Sequence, residues 1–166
     1  MVDVVEGLSS AAGYLSLLDE EPVLQKRALE RLNEVVDVFW PEIADKSESL
    51  ITLSESTEFE AHELASLVLA KVYFHLGDLS ASMEFALGSN QLFSLSEETE
   101  FASTLMATCM DEYAGIRKGN AIKVSDARTR ALVDGVIEKP EDFDESSVEV
   151  AEVDSRLEKI VELMYE

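Results

Sequence analysis

Residues 59–87 read FEAHELASLVLAKVYFHLGDLSASMEFAL, and their pattern decides the fold. At helical period the first half is apolar on nearly every face, carrying Leu64, Leu67, Val68, Leu69, Val72, Tyr73 and Leu76. That pattern belongs to a helix covered on more than one side. The second half places Leu79, Met83, Ala86 and Leu87 on a further helix. Gly77-Asp78 stands between them. Glycine can take the left-handed conformation that ends a helix, and an aspartate can accept from the free amides that begin the next. The stretch therefore predicts a central helical hairpin with a tight turn, its core built from Leu69, Ala70, Tyr73, Gly77 and Met83.

The flanking segments read as layers on this hairpin. Thr57-Glu58-Phe59-Glu60 has the form of a capping box and is predicted to open the central helix. Before it, a short helix is predicted over residues 8–18 and closes at the DEEP run, residues 19–22. A long amphipathic helix follows, with Leu24, Ala28, Leu32, Val35, Val36 and Phe39 at steps of three and four. Trp40-Pro41 should end it, since the residue before proline is pushed out of helical geometry. Pro41 then starts a third helix through Ile43 and Leu50 to Leu53.

After the hairpin, Gly88-Ser89-Asn90 is a stop, and Ser96 is predicted to cap a helix with Glu97 and Glu98 in its first turn. Phe101, Leu105, Met106, Cys109, Met110 and Tyr113 form its buried face, and Arg117 and Lys118 its last turn before Gly119-Asn120. Residues 120–147 read as a poorly defined acidic connection interrupted by Gly135, Pro140 and the loop EDFDE. Ser146 and Glu149 suggest a second capping box. Beyond it Val150, Val153, Leu157, Ile160, Val161 and Met164 form a narrow apolar stripe, a candidate packing or interaction edge. No segment alternates at period two as a strand would. The expected fold is all-α, with antiparallel helical hairpins stacked as a short α-solenoid, a rod. Its parts are a hairpin stack over residues 1–119, the connection over 120–147, and a further solenoid helix beginning at 148–166.

The 166 residues are 46% hydrophobic, enough for one domain with a core, and 35 acidic against 13 basic residues leave a net charge of -22. Such a surface repels phosphate backbones and anionic headgroups, so neither nucleic acid nor membrane is an expected partner. Cys109 is the single cysteine and excludes an internal disulfide. Asp3 and Glu6 stand where a signal peptide would be basic, which predicts a soluble intracellular chain.

Catalysis lacks visible apparatus. His62 and His75 are thirteen residues apart, about 20 Å along a helix, too far for shared ligation. Glu58 and His62 could share one helix face, but the Glu-x-x-His spacing of di-iron bundles is absent. Asp142, Asp144 and Ser146 resemble the start of a calcium loop. That loop fails where Ser147 replaces glycine and Val153 replaces glutamate. No phosphate-binding glycine loop or nucleophile elbow is present. We expect no enzyme activity, metal or cofactor. Leu69-Ala70, Tyr73 and Gly77 match tetratricopeptide spacing and suggest, as an alternative, a free-standing peptide-binding adaptor with a groove beside Tyr73 and Met83. The period then fails, because 34 residues on lie Thr104, Ala107 and Asp111.

SSAAGYLSLLDEEP, ALERLNEVVDVFWPEI, ELASLVLAKVYFHLGDLSASMEFALGSNQLF and DSRLEKIVELMYE, in that order, resemble the start of the largest non-ATPase subunit of the proteasome regulatory particle base. About Lys118 to Glu152 little resemblance exists. The resemblance implies a non-catalytic scaffold of cytoplasm and nucleus, serving ubiquitin-dependent degradation. In that family a rod of stacked helices precedes a ring of helical repeats. It implies partners among the regulatory-particle subunits, the ATPase ring and the lid, and a ubiquitin receptor held by a C-terminal tail with no counterpart here. It also implies that the rod continues past Glu166, so the last stripe is expected to form an exposed apolar edge that promotes self-association.

Overall fold

The computed structural model describes residues 9–90 and 99–165, with side chains as far as Glu162. Its helices are α1 (Ala12–Leu15), α2 (Pro22–Ala44), α3 (Ser47–Glu55), α4 (His62–Leu76), α5 (Leu79–Gly88), α6 (Glu100–Val133) and α7 (Ser155–Tyr165). A 3-10 turn over Ser16–Asp19 extends α1, and Pro140–Asp142 and Glu145–Ser147 form two more. Among the described residues no strand occurs. The chain is all-α, in keeping with a helical solenoid. It forms two compact units, Met1–Thr108 and Cys109–Glu166.

The first unit is organised on α4, which packs against α2, α3 and α5. Its core gathers Leu29, Leu32 and Val36 of α2, Leu50 of α3, and Ala65, Val68, Leu69 and Val72 of α4, with Leu15 and Leu18 closing the α1 end. Fully burying one such aliphatic side chain is worth about 1.5–3 kcal/mol. Proline at N1 starts α2 after an extended Glu21, where its missing N–H costs nothing.

Four helix boundaries differ from the expectation. The break expected at Trp40-Pro41 falls at Phe39, where α2 leaves helical geometry. The helix kinks at Phe39 (φ -106°, ψ 16°) and runs on to Ala44, because Val36 before the kink and Ile43 after it both belong to the core. Thr57 does not cap α4, which begins at His62 with no side-chain cap. Phe59 and Ala61 are buried instead, drawing residues 56–61 into turns, and burying a phenylalanine outweighs a cap worth ~1 kcal/mol. Glycine does not stop α6 at Gly119 either.

Helix α6 continues to Val133 and ends at Gly135 (φ 69°). There Gly135 N donates to Leu132 O at 3.3 Å and Val136 N to Ala131 O at 2.9 Å, the paired bonds of a left-handed C-cap. Asn120, read as part of a stop, spends its side chain on the backbone of Ala151 and leaves its own backbone helical. At the start of α6, Thr99 Oγ1 accepts from Ala102 N at 3.1 Å. The expected cap at Ser96 lies outside the described residues. Ser146 does not open the last helix; Asp154 does, its Oδ1 accepting from Arg156 N at 2.8 Å.

Candidate functional site

The hairpin turn is built from its two residues. Gly77 sits at φ 80° with its N–H on Phe74 O, Asp78 N reaches Tyr73 O, and Asp78 Oδ1 accepts from Ala81 N, each at 3.0 Å. Small residues then let α4 and α5 close. The buried Ser82 Oγ donates to Ala70 O at 2.6 Å, and a Cβ on Gly88 would meet Ser66 Oγ at 3.3 Å. Leu69 and Ala70 are fully buried, Tyr73 and Met83 half-buried, and Gly77 exposed. Phe85 stacks on Tyr73 with centroids 5.3 Å apart, so an aromatic ring occupies the space that a peptide groove beside Tyr73 would need.

A polar ladder joins α2 to α4 on another face. Lys71 Nζ donates to Asn33 Oδ1 at 2.8 Å, and one turn further His75 Nε2 donates to Asp37 Oδ1 at 3.0 Å. His75 also stacks on Trp40 at 6.0 Å. His62 Nδ1 donates to Phe59 O at 2.8 Å, tying off the turn before α4. Each histidine is thus engaged in packing or in joining elements. Among the described residues no group of three His, Cys, Asp or Glu side chains is placed to hold a metal. Burial pushes the Cys109 thiol up to about 11, which keeps it protonated and a poor nucleophile.

In the second unit the chain after α6 returns along that helix. The Asn120 side chain grips the backbone of Ala151 twice, Nδ2 donating to its oxygen at 2.8 Å and Oδ1 accepting from its N–H at 2.9 Å. Arg128 pairs with Glu145 and lies over the Phe143 ring at 5.8 Å. Between Phe143 and Glu145, Asp144 Oδ1 accepts from Ser146 N and Oγ, and those bonds hold its carboxyl below the usual range. Hydrogen bonding from Arg156 does the same for Asp154.

The apolar stripe lies at the end of this unit. Leu157 and Val161 are 3% and 5% exposed, Val153 and Ile160 half-buried, and Val150 41% exposed. The side chain of Met164 lies outside the described residues. The expectation of an open edge is corrected at Leu157 and Val161, since an amphipathic helix that can turn its stripe inward removes that area from water. The sequence reading overlooked Asn120, Arg128, Phe143 and Glu145 as partners. The available signal was charge: Arg117, Lys118, Lys123, Arg128 and Arg130 are five of the chain's 13 basic residues.

With this geometry in view, the chain was compared with known proteins. The sequence model for the 26S proteasome subunit RPN2, N-terminal domain, matches residues 9–166. The chain is 40% identical over 139 residues to the 26S proteasome non-ATPase regulatory subunit 1 homolog A of Arabidopsis thaliana, covering 80% of this chain and 14% of that protein. It is 37% identical over 138 residues to the corresponding Drosophila melanogaster subunit, with the same coverage of both chains. Identity to the 26S proteasome regulatory subunit rpn2 of Schizosaccharomyces pombe is 34% over 137 residues, again 80% of this chain and 14% of the relative. The chain spans about a seventh of the length of these relatives.

Proposed function

Because the chain belongs to the family of the 26S proteasome subunit RPN2 N-terminal domain, we propose that it is a non-catalytic scaffold segment of the proteasome regulatory particle. The observation that carries this reading is the family match across residues 9–166. The side chains support it. His75, Lys71 and Ser82 join helices and His62 ties the turn before α4, their partners being backbone carbonyls, Asn33 and Asp37. The curated relatives are named as regulatory subunits, in keeping with a role played through surfaces.

The segment works in cytoplasm and nucleus by presenting rigid helix faces to neighbouring subunits, the ATPase ring and the lid among them. The stripe around α7, with Val150, Val153 and Ile160 still partly open, is one such packing edge. Affinity capture of the epitope-tagged chain from its own cells tests the assignment. Regulatory-particle subunits should co-purify, and cross-links should run from this chain to ATPase or lid subunits. Capture free of any proteasome component overturns it.

A further inference from the structure

The face of α6 between Arg117 and Arg128 carries the acidic segment that follows the helix. In a chain of net charge -22, the helix concentrates Arg117, Lys118, Lys123, Arg128 and Arg130 against a single acid, Asp126, over fourteen residues. Over this face lies the opposite composition. Residues 138–154 carry Glu138, Glu141, Asp142, Asp144, Glu145, Glu149, Glu152 and Asp154 against Lys139 alone.

The contacts are those of peptide recognition. Arg128 takes a carboxylate from Glu145 and an aromatic ring from Phe143, two residues apart in sequence. Asn120, eight positions earlier on the helix, grips a backbone amide and carbonyl at Ala151 and so reads a main chain whatever its side chain. Between these anchors the segment makes the single 3-10 turn Glu145–Ser147, flanked by extended backbone at Phe143, Asp144 and Val148.

The fit of this occupant is incomplete. Beside it a depression of about 400 Å³ stays open, lined by Arg117, Asn120, Val124, Ser125, Arg128 and Glu145. Arg128 Nε is buried there without a hydrogen-bond partner, a donor left for an oxygen that Glu145 does not supply. The Asn120 clamp and the Arg128–Glu145 pair are on exposed groups. Such ties are weak and exchangeable.

We propose that this face of α6 is a docking surface for an acidic peptide of another protein, with an aromatic residue two positions before a carboxylate. The chain's own residues 141–152 occupy it in cis and act as a competitive cover. The proposal stands apart from the assembly role, because it is tested on the chain by itself.

The probe is a fluorescent peptide, EDFDESSVEVAE, copied from residues 141–152. It is titrated into the 166-residue chain and into a variant with a weakened cover, Phe143→Ser with Glu145→Lys. The variant should bind at least about tenfold tighter, with affinity falling as salt rises. Adding Arg128→Glu should lose that gain, and a scrambled peptide should bind at least about fivefold more weakly. Equal binding by chain and variant, indifference to Arg128→Glu, or equal binding of the scrambled peptide overturns the proposal. A second measurement uses the unaltered chain. Excess peptide should speed hydrogen exchange at residues 143–152 while leaving residues 117–133 unchanged or slower, and unchanged exchange at 143–152 overturns the proposal as firmly.

Discussion

In the first unit α2, α3 and α4 each put a face into one core, where Leu29, Leu32, Val36, Leu50, Val68, Leu69 and Val72 are fully buried. From residue 110 to residue 156 no side chain is buried. That second stretch includes most of α6 and is held by an arginine-carboxylate pair, a cation over a ring and an asparagine clamp. One buried leucine is worth more than several exposed ion pairs of about 0.2–1 kcal/mol each. The first unit therefore takes its helices from tertiary burial. Distal α6 takes its own mainly from local propensity, with Gly115 and Gly119 working against it and the Asn120 clasp on Ala151 helping it past Gly119.

The comparison breaks most readily at Leu69. Leu69→Ala should lower the unfolding free energy by about 2–5 kcal/mol in denaturant titration, whereas Ile122→Ala on distal α6 should change it by less than about 0.5 kcal/mol. Equal effects would mean that α6 shares the core. Cys109 sharpens the boundary, being the last buried residue before Leu157. With its thiol raised from 9.0 to about 11, iodoacetamide at pH 8 should label it roughly a hundredfold more slowly in the folded chain than in urea. The sign follows for stability: the folded state holds this proton more tightly, so its contribution is complete below pH 9 and is lost as pH rises toward 11.

Smaller effects separate local from tertiary control. Asp78→Ala should cost about 1 kcal/mol in the first unit through the lost cap on Ala81 N. Gly119→Ala should add about 1 kcal/mol of local helix stability in the second, where a Cβ meets nothing within 4 Å, read as slower amide exchange over residues 115–125. Glu145→Lys should have the smallest effect, under about 1 kcal/mol, seen as faster exchange at residues 143–152 with the denaturation midpoint of the first unit unmoved.

What local chemistry controls was legible in the residues themselves. The all-helical class, Pro22 at the start of α2 and the Gly77-Asp78 turn each follow from contacts within a few positions along the chain. The stacking of helices as a scaffold, together with the family, was legible for a related reason: packing motifs such as LNEVVDVFW are local strings with a face. The clasp of Arg128 and Asn120 on residues 143–151 was not, because no spacing rule links a side chain to a partner 17 or 31 positions away.

The sequence by itself therefore determined the all-helical class, where the central hairpin turns and which faces are apolar, since these depend on propensity, period and caps. Only the tertiary structure decided where α4 begins, that α2 resumes at once beyond the kink at Phe39, and that α6 passes Gly119 and stops at Gly135. In the first two cases a boundary signal worth about 1–3 kcal/mol met burial of Phe59, Ala61 or Ile43 in a shared core, and the burial prevailed. In the third, two glycines offered the same stop. The one followed by an asparagine engaged on a distant backbone stayed helical, and the one free to take positive φ ended the helix.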